Sequence, residues 1–321
     1  MQFRGDRSSG DLIPGRFRIV NNGFCVIIGI KTLKMPQIKL TILLILSALT
    51  GGTDQEAGEA PRLIVRVDDM GCSHATNLGI MRSFEEGIAT SVEVMAPTPW
   101  FPEAVRLLKA HPEIDVGLHL TLTSEWSDLK WGPLTKARSL SDEWGYFYPV
   151  IWPNERFGEG RALREHDWQI EEVEAELRAQ IELAQREIPQ LSHVSGHMGC
   201  DNMSEEVQAL VRRLCKEYSI AIFPDDHGVE RFPRADVKAN STDERVQQFI
   251  EGLKSLEPGK TYLYVAHPAL DTPEQQAIGH PGYENVAHDR QAVLSLLMNP
   301  RVEKAIQELG VELASYRDIG S

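Results

Sequence analysis

The chain has 321 residues, of which 42% are hydrophobic and 25% charged, with a formal net charge of -14. The charge is uneven: residues 1–49 hold seven Lys/Arg against two Asp/Glu, which leaves a body of net charge -19. That body has the make-up of one globular domain of about 250 residues, and its acidity argues against nucleic acid and anionic membranes as partners.

The first segment reads as targeting rather than fold. Met35 is followed by Lys39, an apolar run over 40–49, and small and polar residues up to Ala60. The run is too short to span a bilayer comfortably but suits a secretory signal peptide at about 35–50. Residues 1–34 show no periodicity, so translation is expected to start at Met35. The expected organisation is an N-terminal extension over 1–60 and one domain over 61–321. Export follows, to the periplasm or the medium, with no stable membrane insertion once the leader is removed. A cytoplasmic location, or an anchor built from the apolar runs 24–30 and 38–49, is the alternative.

From Leu63 the chain alternates strand and helix. Strands are expected at 63–67, 90–95, 116–122, 192–195, 220–223, 262–266 and 311–315. Helices are expected at 77–86, 102–110, 170–187, 204–218, 243–256, 290–298 and 302–309. This rhythm implies a parallel sheet with right-handed crossovers. Six or more such units point to a (β/α) barrel, distorted or incomplete, with a doubly wound open sheet as the alternative. The charges of helix 170–187 are expected to form a solvated face. Residues 123–168 interrupt the rhythm with Trp126, Trp131, Trp144, Tyr146, Phe147, Tyr148, Trp152 and Trp168. A loop of that length inside a domain is usually functional. Its aromatics either stack on sugar rings or pack a small core of their own. Cys25, Cys72, Cys200 and Cys215 have no zinc-knuckle spacing and are expected to be small buried side chains rather than a disulfide framework.

The chemistry gathers at strand ends. Leu63-Ile64-Val65-Arg66-Val67 runs into Asp68-Asp69-Met70-Gly71. Neighbouring side chains on a strand face opposite ways, so the two acids are expected to divide their work, one on a metal and one on a proton. Two adjacent carboxylates are tolerated where a cation or proton is shared. Three further strand runs end in His119, His197 and His267. Acid and imidazole at the same end of several strands is the pattern of a metal-dependent hydrolytic site. His193 opens its strand and is expected to be structural. His74, His227, His280 and His288 are loop residues with weaker claims, and Asp225-Asp226-His227 is the weakest candidate for a second metal site.

These residues also fit a known pattern. Arg66-Val67-Asp68-Asp69-Met70-Gly71 resembles the opening ADDFG motif of the YdjC-like carbohydrate (chitooligosaccharide) deacetylase family, continued by Ser73, Asn77 and Gly79-Ile80. Gly87-Ile88-Ala89-Thr90-Ser91 is similar to that family's GIVTS motif. Val116 to Thr123 is similar to its GLHLTLT. His193 to His197 falls where it has HxDSH, and Ala266-His267-Pro268 and Ala314 to Asp318 also match. The resemblance runs from Leu63 to Ile319. It departs at Ser195, where the family has an aspartate, and at Met198-Gly199-Cys200, where the family is rich in histidine.

The resemblance implies a distorted (β/α) barrel related to polysaccharide deacetylases. It assigns Asp69, His119 and His197 to a single divalent metal ion, zinc or magnesium. Asp68 becomes the base and His267 the candidate acid. The implied reaction is hydrolysis of N-acetyl groups on acetylated amino sugars or oligosaccharides. An O-deacetylase or phosphoesterase on the same barrel is the first alternative, and an inactive carbohydrate-binding protein the second. A homodimer is compatible with this reading.

Overall fold

The computed structural model describes residues 59–234 and 241–320. The expected leader, the residues before it and Cys25 lie outside the described residues. The elements follow in order as β1 (Arg62–Met70), α1 (His74–Glu85), β2 (Ser91–Val94), α2 (Phe101–Ala110), β3 (Asp115–Leu120), α3 (Ile170–Glu187) and β4 (Leu191–Gly196). Then come α4 (Glu205–Glu217), β5 (Glu230–Arg231), α5 (Thr242–Lys254), β6 (Thr261–Ala266) and α6 (Pro273–Gln276). The chain closes with α7 (Val286–Leu297), α8 (Pro300–Leu309), β7 (Glu312–Ala314) and α9 (Tyr316–Ile319).

Every pairing between these strands is parallel, in the order β4-β3-β2-β1-β6-β5 with β7 beside β1. Parallel strands carry helices on their outer side and are buried on both faces. Thus Leu63, Val65 and Val67 enter the main core, while Ile64 turns the other way and packs with Ala314, Tyr316 and Ile319. One edge of β1 is shared: β7 pairs with Arg62 to Ile64, and β2 takes over from Arg66 onward. β6 lies along the opposite edge. The curled sheet ends at β4 and β5 without closing, so the barrel is incomplete.

Local chemistry sets the helix ends. Ser73, Ser204 and Ser241 cap α1, α4 and α5 with their hydroxyls, satisfying N–H groups that the first turn leaves unpaired. Asn299 caps α8, Pro300 opens it, and Gly310 ends it in the left-handed region at φ 65°. No helix among the described residues is long and apolar enough to cross a membrane. Cys72, Cys200 and Cys215 are buried free thiols.

Two expectations are corrected. Residues 220–223 form no strand. Ser219 turns left-handed at φ 59°, Ile220 drops into the core, and Pro224 opens a 3₁₀ turn. Apolar character alone placed a strand there, but proline has no N–H to give a ladder. The charges of α3 are not all solvated either. Glu176 is fully buried and accepts from the amides of Leu134 and Thr135 and from the Thr135 hydroxyl at 2.8–3.1 Å. Glu172 takes the amide and hydroxyl of Ser139 at 2.7 Å. These two acids fasten the 123–168 insertion, whose long irregular backbone has few ladder partners of its own.

Candidate metal centre and active site

The two acids of β1 share one cavity rather than facing apart. Pairing with β2 shifts register between Val67 and Met70, and Asp69 adopts φ 74°. A β-bulge of this kind re-aims side chains, and a left-handed aspartate is the sort of local strain that functional sites hold. Both carboxylates therefore approach His119 Nε2, Asp68 at 3.7 Å and Asp69 at 3.8 Å. The expectation of opposite faces fails because it assumed unbroken pleating.

His119 is the penultimate residue of β3, and His197 follows the last residue of β4. Their rings meet edge to face with centroids 5.1 Å apart. His197 Nδ1 lies 3.4 Å from Asp69 Oδ1. One ligand atom each from Asp69, His119 and His197 falls within 4.8 Å of the others. Asp69 Oδ1 is buried and accepts no hydrogen bond from any described residue. A buried carboxylate oxygen left bare between two imidazole nitrogens is costly unless a cation completes it, so the donor set fits a divalent metal. This cluster is the one such grouping among the described residues. Asp225, Asp226 and His227 form no second one. They occupy a short exposed 3₁₀ turn in which Asp226 pairs with Arg212.

Each member of the cluster has a partner behind it. Arg290 of α7 donates to Asp69 Oδ2 at 2.7 Å. Burial alone would raise the Asp69 pKa, but Arg290, His197 and His267 together outweigh it and hold the carboxyl well below its usual range. Ser195 bonds His119 Nδ1 at 2.7 Å, because the β3–β4 register sets the two residues opposite each other. The serine that stands at the family's aspartate position therefore still supports the imidazole. Glu125 meets His197 Nε2 at 3.0 Å. Burial would lower the His197 pKa, but the carboxylates of Glu125 and Asp69 push it up to about 10, so a metal ion at Nδ1 would have to displace a proton there. Burial, reinforced by the nearby His197 charge, pulls His119 down to about 3.

Asp68 is held separately. Arg66 donates from Nε to Asp68 Oδ1 at 2.8 Å and from Nη2 to Oδ2 at 2.9 Å. This fork fixes the carboxylate plane. Behind Arg66 stand the Tyr316 hydroxyl at 3.1 Å and Glu93 at 3.9 Å. Glu93 meets His193 Nε2 at 2.8 Å, and His193 stacks on Tyr316 with centroids 3.6 Å apart. His193 is thus the buried structural residue expected of it. Gly117 makes room for this pair, since an added Cβ would lie 2.4 Å from His193 Nε2. His267, just past β6, stands at the mouth with its side chain 45% exposed and Nε2 3.9 Å from Asp68 Oδ2.

A cavity of about 460 Å³ contains Asp68, Asp69, His119, His197 and His267. Sequence reasoning gave no role to Arg66, Glu125 or Arg290. Arg66 was within reach of it, two residues before Asp68 on the same strand. Arg290 lies 221 residues from its partner, and no spacing signals such a contact.

The fold and this cluster define a (β/α)-barrel protein whose carboxylate and two imidazoles converge at the C-terminal ends of its strands. The chain belongs to the YdjC-like protein family, whose model matches residues 62–308. It is 30% identical over 270 residues to a carbohydrate deacetylase of Geobacillus stearothermophilus, covering 79% of this chain and 96% of that one. It is 27% identical over 271 residues to a chitooligosaccharide deacetylase of Yersinia enterocolitica, covering 80% and 98%. A solved candidate cellobiose-phosphate cleavage protein of Enterococcus faecalis V583 shares the fold, with a TM-score of 0.63 at 23% identity over 81% of this chain and 99% of that one.

Proposed function

We propose that this protein is a metal-dependent carbohydrate deacetylase that hydrolyses N-acetyl groups on amino sugars. The observation that carries this reading is the bare Asp69 Oδ1 between His119 and His197, with a second carboxylate, Asp68, beside it. Asp69, His119 and His197 hold the ion. A divalent ion held there would supply Lewis-acid chemistry, polarising an amide oxygen and lowering the pKa of water. Two imidazoles and one carboxylate suit zinc better than magnesium, which prefers an all-oxygen shell. Asp68, oriented by Arg66, takes the proton of the attacking water. His267, at the open side of Asp68, gives a proton to the leaving nitrogen. Arg290 keeps Asp69 ionised, and Ser195 and Glu125 hold the rings of His119 and His197 in place.

The relatives named as carbohydrate and chitooligosaccharide deacetylases support this reading. The test is acetate release from N-acetylglucosamine and its oligomers, with metal-stripped protein and with zinc, magnesium, manganese or cobalt restored. Acetate should appear only with metal. No acetate from any substrate, together with phosphate release from sugar phosphates, would move the site to phosphoester chemistry.

A further inference from the structure

The terminal run Ala314 to Asp318, which resembles the family's closing motif, has no part in the metal cluster. Its anchor is Asp115, the first residue of β3. Asp115 Oδ2 accepts from the Tyr316 amide at 3.0 Å, and Oδ1 pairs with Arg317 Nε at 3.2 Å. Arg317 Nη2 also donates to the carbonyls of Ile114 and Gln190 at 3.2 and 2.9 Å. Ser91 opens β2 and Ser192 is the second residue of β4; both donate to the same carboxylate, at 3.0 and 2.7 Å. α9 is therefore tied to β2, β3 and β4 at their N-terminal ends, opposite the metal centre. From there the fully buried Tyr316 side chain extends toward the site. One face of its ring lies on His193, with centroids 3.6 Å apart and planes 7° from parallel. Its hydroxyl accepts from Arg66 Nη1 at 3.1 Å, and Arg66 grips both oxygens of Asp68. A chain of contacts thus leads from the far end of three strands to Asp68.

A guanidinium carries its N–H donors in one rigid plane. The fork to Asp68 uses Nε and Nη2, and the Arg66 side chain is only 13% exposed, so water does little to fix the rest. The bond at Nη1 decides how firmly the plane is held. A carboxylate there would compete with Asp68 for the positive charge. Glu93 is near enough to do so, at 3.9 Å from Nε, but the same oxygen is engaged by His193 at 2.8 Å. A neutral phenol oxygen holds the guanidinium without drawing its charge away from Asp68. We propose that Tyr316 is a positioning residue for the reaction: its hydroxyl fixes the Arg66 fork, and so the plane of the Asp68 carboxylate, while Asp115 and His193 hold its own ring in place. This proposal rests on the deacetylase reading, in which Asp68 is the base, and adds that the last turn of the chain orients that base.

Tyr316→Phe removes the hydroxyl and keeps the ring. In acetate release from N-acetylglucosamine oligomers by zinc-loaded protein, its kcat should fall about 10–100-fold, the scale of one hydrogen bond to a charged group. KM and zinc content should stay within about twofold of wild type, since the contact acts on the reacting step and not on binding. In an Arg66→Lys background, where the fork is already gone, the same substitution should cost little more, because residues that act through one another do not add. The contact is also read without turnover. In the proton–nitrogen NMR spectrum of wild type, a guanidinium held at three nitrogens should give separate Nη1 and Nη2 signals for Arg66, assigned with Arg66→Lys. In Tyr316→Phe those signals should merge as the group rotates. If Tyr316→Phe melts too low to assay, Arg317→Met, which frees the segment from Asp115 at a side chain 40% exposed, tests the same link, and its kcat should fall with KM unchanged. Unchanged kcat, additive losses in the two backgrounds, or separate Arg66 signals in Tyr316→Phe overturn the proposal and leave Tyr316 as core packing. If wild type releases no acetate, the deacetylase reading fails, and the NMR spectra still decide whether Tyr316 fixes Arg66.

Discussion

At the scale of single residues, the proposed function separates holding an ion from moving a proton. Asp68 is tied by both oxygens to Arg66 and does not belong to the triad formed by Asp69, His119 and His197. Asp68→Asn should keep wild-type metal content and lose turnover by roughly 10²–10⁴-fold, the range for a positioned acid or base; a metal-free variant would make Asp68 a ligand instead. Ser195 touches His119 on the ring nitrogen that faces away from the cluster. Ser195→Ala should weaken zinc binding by about 10–100-fold, as loss of a ligand's outer partner generally does, measured by competition with a chelating dye. Unchanged affinity would reduce Ser195 to packing. Arg290 and Asp69 form a buried ion pair. Removing one side of such a pair usually costs about 3–5 kcal/mol, because the remaining charge stays buried. Arg290→Met should therefore destabilise the metal-free protein by about that much in urea. Added zinc should recover more stability in the variant than in wild type, since the ion then supplies the missing positive charge.

Strands β1, β2 and β4 are joined beneath the site by Arg66, Glu93 and His193. Glu93 is fully buried. Burial alone would raise its pKa, but His193 and Arg66 outweigh that effect and lower it. Its folded pKa thus lies below the unfolded value of about 4.3. The stability it contributes is complete above that value and is lost as pH falls through the folded pKa. Glu93→Gln should flatten the acid side of a stability-against-pH curve while changing its slope little above about pH 6; an unchanged acid limb would show that the pair carries no linkage. The same elements show why boundaries were legible and orientation was not. Capping serines and the Pro300–Gly310 frame of α8 are local signals, and the seven expected helices fall within about four residues of observed ones, while the short α6 and α9 were not anticipated. The inward turn of Glu176 on α3 depends on an insertion whose path no local rule describes.

For the whole molecule, the basic, apolar run after Met35 supports export as a proposal. Mature protein isolated from the native source should begin after about Ala48, which N-terminal sequencing checks; a cytoplasmic protein that retains Met1 would refute it. Sequence alone determined the alternation of strand and helix, the parallel sheet it implies, and the strand ends that carry Asp68, Asp69, His119, His197 and His267. Each of these follows from short-range periodicity or from motifs a few residues long, since a parallel strand buried on both faces must be apolar until it reaches its functional end. Tertiary structure alone decided that the two acids share a cavity, because that turns on a register break between β1 and β2 and on one left-handed aspartate. It also decided that Arg290 neutralises Asp69, that Ser195 backs His119 across a strand pair, and that Tyr316 meets Arg66. Those contacts join residues far apart in the chain, and only the curling of the sheet and the packing of helices against it bring them together.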